Sequence, residues 1–193
     1  AWLPSYANQP NQNITWMLYR HSVKVCQEKY PELMMGEAMA CTHHVVDKFP
    51  ELYACFAQGD QTLIHGDAYV ANMYFDDNGR DIGYLDFQMV TRGHGVREVT
   101  YLLGSCLAPE VTQDNIERLL GLYCDSLAEQ GVELSRESAW QQHQESSLYL
   151  LVGCIVNGAL GHMQTEAVNR QCVERAMQLV VNCRAMEYLT ARC

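Results

Sequence analysis

The chain has 193 residues, 48% of them hydrophobic and 19% charged, and a formal net charge of -10. Such a composition belongs to a folded globular chain, one domain or part of a larger protein, and excludes a disordered one. The acidic balance argues against a nucleic-acid or acidic-membrane partner, because phosphates are repelled at long range.

The longest apolar run, Leu148 to Ile155, is much too short to cross a bilayer. The chain starts AWLPSYANQP, with no initiator Met and no signal-peptide pattern, and reads as the middle of a longer protein. Its nine cysteines form no C-x-x-C pair and mostly fall in helical apolar patterns. They point to buried free thiols in a reducing cytoplasm.

Asn11 to Tyr30 carries Ile14, Met17, Leu18, Val23 and Val25, which predicts a first helix that stops before Pro31. Met34 to Phe49 predicts a second, and Pro50 opens a short helix through Ala57. Thr62 to His65, Asn72 to Phe75 and Ile82 to Leu85 read as short strands. Asp77-Asn78-Gly79 marks a hairpin turn between the last two. Helix returns over Val96 to Leu107, Thr112 to Gln130, Ser135 to Gly161 and Thr165 to about Leu189. Asn157, inside an apolar run, is expected to make a helix–helix hydrogen bond. The predicted fold is α+β and mainly α, a helical domain with a small hairpin sheet embedded in it.

The polar residues converge on that sheet. Residues 63 to 88 read LIHGDAYVANMYFDDNGRDIGYLDFQ. His65, Asp67 and Asn72 share one loop between strands, and Asp86 follows the return strand of the hairpin beside it. Two carboxylates and an amide oxygen suit Mg²⁺, a hard cation that prefers oxygen ligands. One carboxylate can stay free of metal to orient a nucleophilic hydroxyl. Phosphoryl transfer needs this division of labour.

The stretches LIHGDAYVANMYF, IGYLDFQ and GVREVTYLLG resemble the aminoglycoside phosphotransferases and their choline-kinase-like and ecdysteroid-kinase-like relatives. The resemblance implies the protein-kinase-like fold. It casts Asp67 as catalytic base, His65 as the brace of the catalytic loop, and Asn72 and Asp86 as ligands of Mg²⁺ and, with it, ATP. A protein kinase proper is ruled out. Gly66 stands where those enzymes carry an Arg, Gln88 follows Asp86-Phe87 in place of Gly, and no A-P-E sequence comes after.

Glu98 stands where many relatives place an Asp that supports the loop from a helix start. A helix N-terminal carboxylate favoured by the dipole is the plainer account of it. Trp140, His143, Glu145 and Tyr149 lie on a helix that lines the acceptor pocket in relatives. A solvated helix start that turns inward at Leu148 is the competing account. Gly93-His94-Gly95 lacks the third glycine of a phosphate loop.

The family's nucleotide-binding lobe, a sheet with a strand lysine paired to a helix glutamate, has no counterpart before His65. Residues 1 to 193 are therefore expected to form a kinase-like C-terminal lobe that exposes an apolar patch near the hairpin. ATP would be co-substrate, Mg²⁺ the cofactor and a small hydroxylated molecule the acceptor. Two rival readings remain, a metal-dependent phosphoesterase using the same residues as ligands and a non-catalytic kinase-like binding module.

Overall fold

The computed structural model describes residues 12–192, so Asn11 of the first predicted helix and Cys193 lie outside the described residues. Three helices come first: α1 (Gln12–Lys29), α2 (Gly36–Asp47) and α3 (Phe49–Cys55), with Pro50 in the first turn of α3. A short β region follows, and then α4 (Gly95–Cys106), α5 (Pro109–Glu129), α6 (Arg136–Leu160), α7 (Glu166–Asn182) and α8 (Ala185–Arg192). The fold is mostly helical with a little antiparallel sheet, compatible with a kinase-like fold.

α6 is the central helix, packed by α1, α4, α5, α7 and α8. Its ends follow from local chemistry. The Ser135 hydroxyl accepts a bond from the Ser138 N–H at 3.0 Å, and Gly161 closes the other end in a left-handed conformation. The main core gathers Tyr19 of α1, Phe49 and Leu52 of α3, Phe56 at the end of α3, and Leu148 and Ile155 of α6. A smaller core joins Val96 and Leu103 of α4 to Ile116 and Leu120 of α5. Each such side chain contributes roughly 1.5–3 kcal/mol of burial free energy.

Three expectations are corrected. The sheet is two separate ribbons, not one hairpin sheet. β2 (Met73–Phe75) and β3 (Ile82–Tyr84) form the hairpin, whereas β1 (Thr62–Ile64) pairs antiparallel with β4 (Thr91–Gly93). Thr91-Arg92-Gly93 has no apolar alternation, so its strand character comes from pairing with β1 alone.

The final predicted helix is broken into α7 and α8, with Arg184 in the left-handed region at φ 54°. Buried Gln144 donates to the carbonyls of Cys183 (2.9 Å) and Arg184 (3.2 Å), and so satisfies backbone groups that the break frees. Asn157 faces solvent and is no interior hydrogen-bond residue.

The glycines of Gly93-His94-Gly95 sit under close-packed side chains. A Cβ on Gly95 would collide with the Tyr123 hydroxyl, and one on Gly93 would stand 2.7 Å from Ile64 Cδ1. No helix among the described residues is long and apolar enough to cross a membrane.

Candidate active site

Strand β1 delivers the chain into the His65–Asn72 loop, and the first turns of α4 hold that loop from behind. Glu98 is the anchor. Its carboxylate accepts the backbone N–H of His65 at 2.9 Å and of Gly66 at 3.1 Å, so two consecutive amides are pinned by one side chain. Burial pushes the Glu98 carboxyl above its ordinary range, and the two N–H bonds pull it back. Gly66 adopts φ +84°, and a Cβ there would run into the carbonyl oxygen of Met89. Only glycine fits this corner.

His65 ties the loop to the far end of the hairpin. Its Nδ1 accepts from the Asp67 N–H at 3.3 Å, which leaves Nε2 to donate to the Leu85 carbonyl at 2.7 Å. The ring packs against Phe87 at a centroid distance of 4.8 Å.

Asp67 is half-buried and its carboxylate is held at both oxygens. The Tyr101 hydroxyl donates to Oδ1 at 2.7 Å, and Asn72 Nδ2 donates to Oδ2 at 3.0 Å. The same Asn72 amide reaches the Asp67 carbonyl, also at 3.0 Å. Burial, reinforced by the adjacent carboxylate, drives the Tyr101 phenol far above its ordinary value, so it remains a donor. Tyr101 is the residue that sequence reasoning passes over. It lies within the GVREVTYLLG stretch, but nothing in its spacing reveals that it reaches Asp67.

Asp86 enters from the hairpin. The Leu85 N–H bonds the Asn72 carbonyl at 2.8 Å, so Asp86 emerges beside the loop. Its backbone is left-handed at φ 59°, which costs a non-glycine residue on the order of 1 kcal/mol. The carboxylate is exposed, with Gln88 Nε2 3.4 Å away.

These donors fit a hard divalent cation. Asn72 engages Asp67 through its amide nitrogen, which leaves its oxygen available, and Asp86 offers an exposed carboxylate. Around them Tyr74, Phe75, Ile82, Leu85 and Phe87 are each more than half exposed, an apolar surface on the hairpin.

Trp140, Glu145 and Tyr149 are not brought into one pocket. Trp140 and His143 border a cavity of about 520 Å³ between α4, α5, α6 and α7. Glu145 borders a second cavity, of about 380 Å³. Its carboxylate lies 3.5 Å from Arg97 and 3.7 Å from His94, and accepts from the Tyr188 hydroxyl at 2.8 Å. Burial raises the Glu145 carboxyl, and these neighbours oppose the rise. Tyr149 packs on Phe56 and faces the Arg97 guanidinium at 4.9 Å.

No curated protein and no solved structure matches the chain. A family profile does, over residues 4–135, a span that contains the loop, the hairpin and the Glu98–Tyr101 turn. That span is most of the chain, and by it the protein belongs to the ecdysteroid kinase-like family, a kinase-like family related to the choline kinases and aminoglycoside phosphotransferases.

Proposed function

We propose that this chain is the C-terminal lobe of an ATP-dependent phosphotransferase that moves the γ-phosphate of ATP to a hydroxyl of a small molecule. The observation that carries the reading is the state of Asp67. Its carboxylate is fixed at both oxygens by Tyr101 and Asn72, on a loop whose backbone Glu98 immobilises. A base held in this way has lost the rotamer freedom that would blur its aim.

Asp67 orients the acceptor hydroxyl and takes its proton as the oxygen attacks the γ-phosphorus. His65 keeps the loop and the Leu85 turn in register, which sets Asp67 and Asp86 relative to one another. Asn72 and Asp86 would hold Mg²⁺, which when bound with the nucleotide neutralises phosphate charge. The exposed apolar face of the hairpin is the surface on which a nucleotide-binding lobe would pack. Of the acceptor candidates, Trp140 keeps a face on the larger cavity, while Glu145 and Tyr149 are engaged with Arg97.

The full-length protein, given Mg²⁺-ATP and a panel of small hydroxylated acceptors, should form ADP without free phosphate. Release of free phosphate in place of a phosphorylated acceptor would favour the phosphoesterase reading. Nucleotide binding without turnover on any acceptor would favour the binding module.

A further inference from the structure

We infer that the cavity of about 520 Å³ among α4, α5, α6 and α7 is a binding site for a small aromatic carboxylate, separate from the phosphotransfer site. Its size suits a small organic molecule, since ligand pockets run from roughly 300 to 1,000 Å³. Helix α4 stands between it and Asp67. Glu98 and Tyr101 hold the loop, whereas Gly104 and Leu107 border the cavity. Leu107, just past the helix end, comes about two and a half turns after Glu98 and so faces the opposite way.

Two groups in the wall call for a ligand. Arg175 is half-buried, and its Nη1 donates to the Ser105 carbonyl, which fixes the guanidinium against the C-terminal end of α4. No carboxylate among the described residues pairs with it, although Arg97, Arg136, Arg170 and Arg184 each face one. His143 is fully buried in the same wall. Its Nδ1 is 2.8 Å from the Thr100 hydroxyl, while Nε2 has no hydrogen-bond partner among the described residues. Buried polar atoms are nearly always paired, so an unpaired one in a cavity wall points to a partner from outside the chain.

The rest of the lining sets the ligand's class. The first turn of α5, through Pro109 and Thr112, borders the cavity and adds the positive end of a 21-residue helix. One guanidinium balances one negative charge, and its planar fork matches a carboxylate. Glu117 and Glu187 stand at the mouth, exposed to water that screens them, and Arg184 lies 4.0 Å from Glu187. Leu107, Ile116 and Leu179 supply apolar contact. The Trp140 ring, 5.4 Å from that of His143, supplies an aromatic face.

The test needs no phosphoryl transfer, so its failure and the failure of the phosphotransfer reading are distinguishable. The probe is para-benzoylbenzoate, an aromatic carboxylate that crosslinks on irradiation. Calorimetry on the full-length protein should show it binding at least about tenfold tighter than the neutral para-benzoylbenzamide, which lacks the charge-assisted contact. Arg175→Gln should remove that difference. Mass spectrometry of the irradiated wild type should place the label on the cavity wall, within residues 104–116 or 175–187. That map decides the matter even if the variant fails to fold. Absence of binding, label anywhere else (the exposed hairpin face at 74–87 included), or equal binding of acid and amide would overturn the assignment. So would a difference that survives in a folded Arg175→Gln protein.

Discussion

The Tyr101 hydroxyl, one turn into α4 from Glu98, donates a 2.7 Å hydrogen bond to Asp67 Oδ1. Helix α4 thus grips the loop twice, at its backbone through Glu98 and at its carboxylate through Tyr101. A hydrogen bond to a charged group contributes roughly 1.5–3 kcal/mol. In the full-length protein, Tyr101→Phe should lower kcat about 10- to 100-fold, since each ~1.4 kcal/mol is tenfold in rate. The Kd for Mg²⁺-ATP should stay within about twofold, because Tyr101 addresses the base and not the metal donors. Equal losses in kcat and nucleotide affinity would show that Tyr101 merely supports the fold.

Asp67 and Asp86 should separate cleanly. Asp67→Asn removes the proton acceptor and should cost kcat roughly 10²–10⁴-fold with nucleotide binding retained. Asp86→Ala should instead weaken Mg²⁺-nucleotide binding in calorimetry. It should also relieve little of the backbone strain, since alanine inherits φ 59°. Normal turnover in the first variant, or unchanged affinity in the second, would reverse the two roles.

Glu145 offers a direct choice between acceptor contact and structural member. It is 5% exposed and faces Arg97, itself 1% exposed. Removing one partner of a buried pair costs roughly 3–5 kcal/mol, because the remaining charge loses its compensation. Glu145→Ala should therefore lower the denaturation midpoint sharply. A variant of native stability with a raised KM for the acceptor would return Glu145 to the binding site.

His143 gives the fold a pH signature. The ring is fully buried, with Nδ1 2.8 Å from the Thr100 hydroxyl, and burial holds it down at about 4 against an ordinary 6.5. The folded chain thus refuses a proton that the unfolded chain accepts. The stability associated with the neutral ring is complete above pH 6.5 and is lost as pH falls from there towards 4, in all roughly 3 kcal/mol. Urea denaturation of wild type and His143→Gln at pH 7 and pH 4.5 checks this. The gap between the two should shrink at the lower pH. A constant gap would mean that the ring is protonated inside the fold.

Helix α6 is legible in the sequence because its apolar period and both end signals agree, Ser135 at one end and Gly161 at the other. His65, Asp67, Asn72 and Asp86 are legible by spacing, since a short loop and a tight hairpin leave few places for them to go. Strand β4 is not, because Thr91-Arg92-Gly93 becomes a strand only through its partner β1. The α7–α8 break is hidden because Arg184 is no helix breaker, and the carbonyls there are satisfied by Gln144 of α6, far away in the sequence. The Tyr101–Asp67 bond and the Arg97–Glu145 pair are long-range contacts, and residue type alone does not announce them.

Two glycines with similar backbones should respond very differently to the same change. Gly79 closes the hairpin at φ +66°, where an added Cβ would meet nothing within 4 Å. Asp76 Oδ1 braces that turn by accepting the Arg80 and Asp81 amides. Gly79→Ala therefore pays only for the left-handed backbone, about 1 kcal/mol. Gly66, at φ +84°, adds a collision with the Met89 carbonyl, a backbone group that cannot swing aside. Gly66→Ala must also displace the amide that Glu98 accepts at 3.1 Å. The hairpin variant should fold and keep most of its turnover. The loop variant should lose several times more stability, and any folded fraction should be inactive because Asp67, the next residue, moves with it. Thermal melts and ADP release on the two proteins side by side decide it. Equal, mild effects would mean that the loop can relax, and that the rigidity ascribed to Asp67 is not built into its backbone.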